Sequence, residues 1–192
     1  MESLLLSFKT EEKGKLSRCG EILFAMILII VTFPLFLAGC LISFLDLKEN
    51  PIFSQIRVGK NGKLFSILKI KTISSVQKRK VSFLGKLLRK TKIDELPQLF
   101  NVFIGDMRII GPRPEQPQYV EQFLKQTPSF SLRHKIKPGI TGLAQVCLPR
   151  ATPKDNLKKL EHDLYYVNNH SLKLDCIILL KTLKIILTLD SN

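Results

Sequence analysis

The 192-residue chain has no tryptophan, only three histidines, and four cysteines. His134, His162 and His170 fall into no triad or metal-ligand spacing, and no catalytic role attaches to them. Cys19, Cys40, Cys147 and Cys176 lie far apart, with no CxxC pair, so a zinc site is excluded and unpaired thiols in a reducing compartment are expected. Gly59 and Gly62 lack the spacing and the Gly-Lys-Ser/Thr of a P-loop, and there is no internal repeat or low-complexity segment. Acid is the scarcest commodity. Sixteen Asp and Glu face thirty Lys and Arg, a formal charge of +14. Between Asn50 and Ile93 there are twelve Lys or Arg and no acidic residue at all. So one-sided a window speaks for a negatively charged partner: phosphates of nucleic acid, of nucleotides or of lipid headgroups.

Charge of either sign is missing from Ile22–Leu45, an apolar run of 24 residues, long enough to cross a hydrocarbon core as a helix. Three readings stand side by side. Leu37-Ala38-Gly39-Cys40 has the look of a lipoprotein cleavage site, although the residues after Cys40 stay apolar. A straight span is the second. The third is a re-entrant helical hairpin bent near Pro34, because proline removes a helix hydrogen bond and clashes with the preceding turn. Lys9, Lys13, Lys15 and Arg18 before the run and Lys48, Arg57, Lys60 and Lys63 after it favour placing both flanks on the cytoplasmic side. Residues 1–48 are therefore expected to form an amphipathic lead-in and a membrane hairpin, and residues 49–192 a catalytic domain on the cytosolic face.

The rest predicts an α+β, mostly helical single domain with one small β-hairpin. Ile52–Val58 alternates like a strand, Gly59–Lys63 is a turn centred on Asn-Gly, and Leu64–Ile73 is the partner strand, with loop and outer face cationic. Ser82–Arg89 reads as a short basic helix, Met107–Ile110 as a strand, and Pro117–Phe130 and Leu157–Asn168 as helices. Leu172–Leu189 carries Lys181 and Lys184 on one face and Ile/Leu elsewhere, which suits core packing and an interfacial amphipathic helix equally.

The stretch from Arg89 to Pro114 organises the chain. Two adjacent carboxylates, Asp94 and Glu95, follow the acid-free window. With Pro97 in a first helical turn, Asp94 is a natural N-cap for a helix running to about Phe103. The same position suits phosphate chemistry. A helix N-terminus favours anions, magnesium takes one or two carboxylates plus substrate phosphate oxygens, and a carboxylate can attack a phosphoryl group. Cap and catalyst remain compatible at this point. Arg113, between Pro112 and Pro114, presents its guanidinium with little entropy loss, as bidentate phosphate binding requires.

Taken in order, several blocks resemble the bacterial sugar transferase family, the monotopic phosphoglycosyl transferases. They are Phe53-Ser-Gln55-Ile-Arg57-Val-Gly59-Lys-Asn-Gly62, Lys69-Ile-Lys71-Thr72, Asp94-Glu95-Leu96-Pro97-Gln98-Leu99-Phe-Asn101, Gly105-Asp106-Met107, Gly111-Pro112-Arg113-Pro114 and Lys137–Val146. The resemblance covers nearly the whole chain. It implies transfer of a sugar-1-phosphate from a UDP-sugar to a polyprenyl phosphate (undecaprenyl phosphate), with UMP released. Asp94 would be the nucleophile that forms an aspartyl-phosphosugar, and Glu95 the ligand of Mg2+. Arg57, Lys69, Arg89, Arg113 and Gln145 would bind substrate and its phosphates, and Pro34 would mark the membrane bend. It further implies a monotopic protein on the cytoplasmic face of a bacterial inner membrane, partnered by membrane lipid and not by nucleic acid, with homo-oligomerisation left open. The chain departs from the family's usual pattern at Phe33, at Ile70-Lys71 and at Cys147-Leu148-Pro149-Arg150. The alternative is a non-catalytic basic module docking on a membrane surface, with Asp94 a cap and the lysines meeting anionic lipid. Nucleic-acid binding rests on charge alone.

Overall fold

The computed structural model describes residues 18–74, 81–152 and 155–188. Most of the amphipathic lead-in, part of the loop after Ile73 and the last residues of the tail fall outside them. Among the described residues, seven α-helices surround two separate two-stranded sheets. Helix α1 (Arg18–Leu47) is followed by the antiparallel hairpin β1 (Ile52–Val58) and β2 (Leu64–Ile70). Then come α2 (Phe83–Lys90), α3 (Gln98–Ile104), β3 (Arg108–Ile110), α4 (Pro117–Gln126), β4 (Gly139–Thr141), α5 (Leu143–Cys147), α6 (Asn156–Asn169) and α7 (Leu172–Thr188). Strands β3 and β4 pair in parallel, Arg108 with Gly139 and Ile110 with Thr141. The fold is α+β.

Helix α1 is long and apolar enough to cross a membrane, at a rise of 1.5 Å per residue about 45 Å. It continues through Pro34 and does not break there. One narrow stripe faces the domain. Glu21, Ala25, Gly39 and Ser43 are buried, while Ile29, Thr32, Phe33 and Phe36 border a small crevice with Leu96 and Phe100 of the domain. The three- and four-residue spacing puts these positions on one side of the helix. The other side leaves Leu23, Ile27, Ile30, Val31, Leu37, Leu41 and Leu45 exposed. Both ends are fastened to the same domain. Near the start, Arg108 bonds Glu21, and Arg18 donates to the carbonyls of Val102 and Phe103 at 2.8 and 3.0 Å. Near the end, Ser43 donates to the Lys71 carbonyl at 2.6 Å and Ser82 donates to Asp46.

The hairpin forms where the alternation places it, and Asn61 and Gly62 take the positive φ values (55° and 78°) that make Asn-Gly the favoured turn pair. Its charged face is reversed from expectation. The register sets Phe53 opposite Lys69 and Arg57 opposite Phe65, so Phe53, Gln55, Arg57 and Lys69 share the inward face. Exposed Ile52, Ile56 and Leu64 lie on the outer one. Only the loop, with Lys60 and Lys63, is cationic and exposed. Asn101 ties α3 to β2, accepting from the Leu68 amide at 3.0 Å and donating to the Ser66 carbonyl at 2.8 Å.

One other expectation shifts. The fourth helix ends at Gln126, and Pro128–Lys135 continues as 3-10 turns, because a residue preceding proline is driven out of the helical region. In α7 the inward side carries Ile178, and Thr182 bonds Thr141 of β4 at 2.7 Å; Leu172, Leu180, Leu183 and Leu187 are exposed.

Candidate active site

The acidic pair sits in a single 3-10 turn, Ile93–Glu95, entered through Lys92 in the left-handed region (φ 60°, ψ 12°). Pro97, not Asp94, occupies the N-cap position of α3, and no side chain caps that helix. The N-cap expectation for Asp94 is thus corrected. The 3-10 turn and Pro97 stand between Asp94 and the first helical amides, leaving its carboxylate free of any capping bond.

A cleft of about 370 Å³ opens at this turn. Its walls come from the inward face of the hairpin, the segment after β2, the end of α2, the 3-10 turn and Arg113. Six cations line it, Arg57, Lys69, Lys71, Arg89, Lys92 and Arg113, against the two carboxylates. Phe53, Gln55 and Thr72 also reach it. A cleft lined by six cations and two carboxylates attracts anions, and polyanions of phosphate size match it.

The two carboxylates differ sharply. Glu95 is gripped: Lys69 donates to its Oε1 at 3.0 Å and Arg113 donates to the same oxygen at 2.7 Å. Burial alone would raise its pKa, but Arg113 and Lys69 outweigh burial and hold the carboxyl well below the usual range. Arg113 in turn is held charged, mainly by Glu95. Asp94 is only 7 % exposed and its Oδ1 has no hydrogen-bond partner among the described residues. Burial, followed by the neighbouring Glu95 charge, pushes it up to about 6. One carboxylate is locked and the other is desolvated and open.

The cations are aimed by protein acceptors. Arg57 donates to Gln55 Oε1 at 2.6 Å and to the Pro114 carbonyl at 3.1 Å. Lys71 pairs with Glu49 at 2.9 Å, and Arg89 donates from Nε to Thr72 Oγ1 at 2.8 Å. The Gly111–Pro114 turn is fixed by more than its prolines. Gly139 N donates to Pro112 O at 3.0 Å and Val58 N to Glu115 O at 2.9 Å. Arg133 donates to Arg113 O at 2.8 Å. A Cβ on Gly139 would collide with the Gly111 amide nitrogen, so the parallel strand pair requires glycine there. Arg133 itself donates through Nε and Nη2 to Asp163 Oδ2 at 3.0 and 2.6 Å, both side chains being buried. Its guanidinium also lies 4.8 Å from the Phe130 ring centroid.

Of the expected site residues, Asp94, Glu95, Arg57, Lys69, Arg89 and Arg113 meet in the cleft. Gln145 does not. It lies in α5 with its Nε2 donating to the Ile140 carbonyl at 2.8 Å, bracing the turn that supports β4. Pro34 lies within α1, away from the cleft. The reading of residues in order missed Lys92, whose backbone conformation has no sequence marker in a lysine. It also missed the Arg133–Asp163 pair, whose members are thirty positions apart.

The donor set fits magnesium only in part. Two adjacent carboxylates are present, and among the described residues no third Asp, Glu, His or Cys joins them. Since one oxygen of Glu95 already receives two cations, a magnesium ion here needs phosphate oxygens of a substrate to complete its shell.

Comparison with known proteins agrees with these features. The model of the bacterial sugar transferase family matches residues 12–189. A UDP-N-acetylgalactosamine-undecaprenyl-phosphate N-acetylgalactosaminephosphotransferase of Aeromonas hydrophila is 41% identical over 185 residues, 90% of this chain and 44% of the relative. A UDP-glucose:undecaprenyl-phosphate glucose-1-phosphate transferase of Klebsiella pneumoniae is 34% identical over 179 residues, 86% of this chain and 38% of the relative. One with the same activity in its name from Caulobacter vibrioides is 33% identical over 188 residues, 91% of this chain and 70% of the relative. The chain thus spans less than half the length of the first two relatives. A match over nearly all of the chain, on a cleft that gathers the expected acidic pair and cations, shows that the chain belongs to the bacterial sugar transferase family.

Proposed function

We propose that this chain is a phosphoglycosyl transferase that moves a sugar-1-phosphate from a UDP-sugar to a polyprenyl phosphate, as the relatives' names describe for undecaprenyl phosphate. The observation that carries the reading is the division of labour in the acidic pair: Asp94 is desolvated with its Oδ1 bonded to none of the described residues, while Glu95 is held by Lys69 and Arg113. A carboxylate stripped of water and hydrogen bonds is a stronger nucleophile than a solvated one. In the first step an Asp94 oxygen forms a bond to the β-phosphorus of the UDP-sugar. The bond from that phosphorus to the bridging oxygen breaks, and UMP leaves with the electron pair. In the second step a phosphate oxygen of the polyprenyl phosphate attacks the same phosphorus and the Asp94 carboxylate is released. Arg113 and Lys69 stabilise charge on the transferring phosphoryl group while keeping Glu95 ionised. Glu95 and Asp94 are the residues that would hold a magnesium ion, which when bound supplies charge neutralisation at the diphosphate.

The reading extends to topology. Helix α1 is fastened at both ends to one domain, by Arg18 and Glu21 near its start and by Ser43 and Asp46 near its end. Its opposite side is apolar and exposed. This favours a monotopic anchor whose apolar side is immersed in the bilayer while both its ends stay with the domain at the cytoplasmic face, with the exposed leucines of α7 at the same surface. Cysteines placed at Lys15 and Lys63, with the native cysteines replaced, are then both protected from an impermeant thiol reagent in whole cells. Labelling of only one of them contradicts this topology.

The reaction is tested by presenting the detergent-solubilised chain with a panel of UDP-sugars and polyprenyl phosphate and measuring UMP. Acceptor-dependent UMP from at least one sugar nucleotide is expected. Membrane binding with no UMP from any of them would contradict the enzyme and favour a basic surface module.

A further inference from the structure

Five of the six cations that line the cleft are committed to protein acceptors. Lys69 and Arg113 hold Glu95, Arg57 holds Gln55 and the Pro114 carbonyl, Lys71 holds Glu49, and Arg89 is anchored on Thr72. Lys92 is different. It is half-buried at the cleft within electrostatic reach of Asp94 and Glu95, yet its ammonium makes no hydrogen bond to any described residue. An ammonium taken partly out of water with no acceptor is unfavourable unless something else supplies one. Its backbone is also unusual. Lys92 takes φ 60°, ψ 12°, with its amide donating to the Arg89 carbonyl and its carbonyl accepting from the Glu95 amide, both at 3.1 Å. Glycine or asparagine is the favoured occupant of that conformation. Lysine there is a local disadvantage to the fold, and non-glycine residues held in this region cluster where function requires them. The side chain, not the backbone, is therefore what the position retains.

We propose that Lys92 is a ligand of a substrate phosphate, the one lining cation of the cleft with no hydrogen bond to any of the described residues and so able to close on the anion once it has entered. This rests on the phosphoglycosyl transfer reading, and it adds a residue two positions before the nucleophile that neither the sequence motifs nor the family match assigns. Two phosphates can be the anion: the diphosphate of the nucleotide donor, or the monophosphate of the lipid acceptor. Both offer strong acceptor oxygens to a compact, mobile ammonium.

The backbone supplies a test that separates binding from folding. Lys92→Gly removes the charge and relieves the positive φ, so thermal stability should hold or rise while phosphate affinity falls. Lys92→Asn, also tolerated in this conformation, controls for the flexibility of glycine, and Lys92→Arg restores the charge. UDP is titrated into the full detergent-solubilised chain, and the KM for undecaprenyl phosphate is measured in parallel. A donor contact predicts UDP binding weakened about tenfold or more in Lys92→Gly and Lys92→Asn, with substantial recovery in Lys92→Arg. An acceptor contact predicts the same rise in KM for undecaprenyl phosphate with UDP affinity unchanged. If neither moves in a wild-type chain that binds UDP and turns over, Lys92 is not a phosphate ligand, and the transferase reading is untouched. A fall in melting temperature with loss that Lys92→Arg does not repair would overturn the proposal in favour of a structural role. A wild-type chain that turns over no UDP-sugar, yet binds UDP and loses that affinity in Lys92→Gly, would remove the transferase reading and leave the phosphate site in place.

Discussion

Two acid–base clusters lie on either side of the Gly111–Pro114 turn, and they are built to opposite rules. Behind the turn, Arg133 and Asp163 are both buried, and Arg133 uses its remaining capacity on the Arg113 carbonyl. In front of it, among the described residues, the cleft keeps a desolvated Asp94 oxygen without a hydrogen-bond partner and a Lys92 ammonium without a hydrogen-bond acceptor. The first arrangement satisfies the protein. The second leaves capacity for something that is not protein, and the contrast is what separates a brace from a site.

Substitutions on the two sides should therefore fail in different ways. The largest effect is expected for Asp94→Asn, which should lower transfer by about a thousandfold or more while leaving the fold intact, as measured by UMP release and by melting temperature. Next, Arg133→Met strips the buried Asp163 of its partner and should destabilise by about 3–5 kcal/mol in chemical denaturation. Any loss of activity there should follow loss of folded protein. The converse sign applies to Asp94 itself. Its folded pKa of about 6 lies above the ordinary value, so proton binding favours the folded state at low pH and that contribution is lost as pH rises through 6. In metal-free protein Asp94→Asn should then stabilise by about 3 kcal/mol at pH 7.5, a gain that shrinks between pH 6 and about pH 4. Equal stability of the two proteins across that range would show that Asp94 is not desolvated.

Smaller effects probe the anchor and the loop. A Cβ on Gly39 would stand 2.8 Å from Ile70 Cδ1 and from Ile93 Cγ2, the latter in the turn that carries Asp94. Gly39→Leu should cost about 1–3 kcal/mol of overpacking and lower kcat more than it raises KM, because it displaces Asp94 rather than the phosphate-binding cations. Lys63→Ala, in the exposed hairpin loop, should change stability by less than about 0.5 kcal/mol and leave transfer unaltered.

Much of this was legible in the residues. Alternation and Asn61-Gly62 located the hairpin, and the acid-free window announced a cleft for anions. What the hairpin's sequence could not convey was its orientation: Arg57 and Lys69 face inward because the domain packs Phe65 and Ile67 on that side. Asp94 read as a cap because Asp before a Pro-containing helix start is the common pattern. Its actual position depends on Lys92 turning the chain through a positive φ, for which a lysine gives no sign. Gln145 looked like a ligand from its motif, yet the motif's glycines serve the close contact of β3 with β4. The Arg133–Asp163 brace joins a 3-10 segment to α6 and emerges only from tertiary packing.

The central claim is that Asp94 is the open carboxylate and attacks phosphorus. It is tested most directly by mixing the chain with a UDP-sugar labelled in the β-phosphate, in the absence of any polyprenyl phosphate. The account predicts a burst of UMP no larger than the amount of protein, with the label on the peptide that contains Asp94 and its discharge on adding acceptor. UMP that forms only when acceptor is present, with no label ever on the protein, would contradict it.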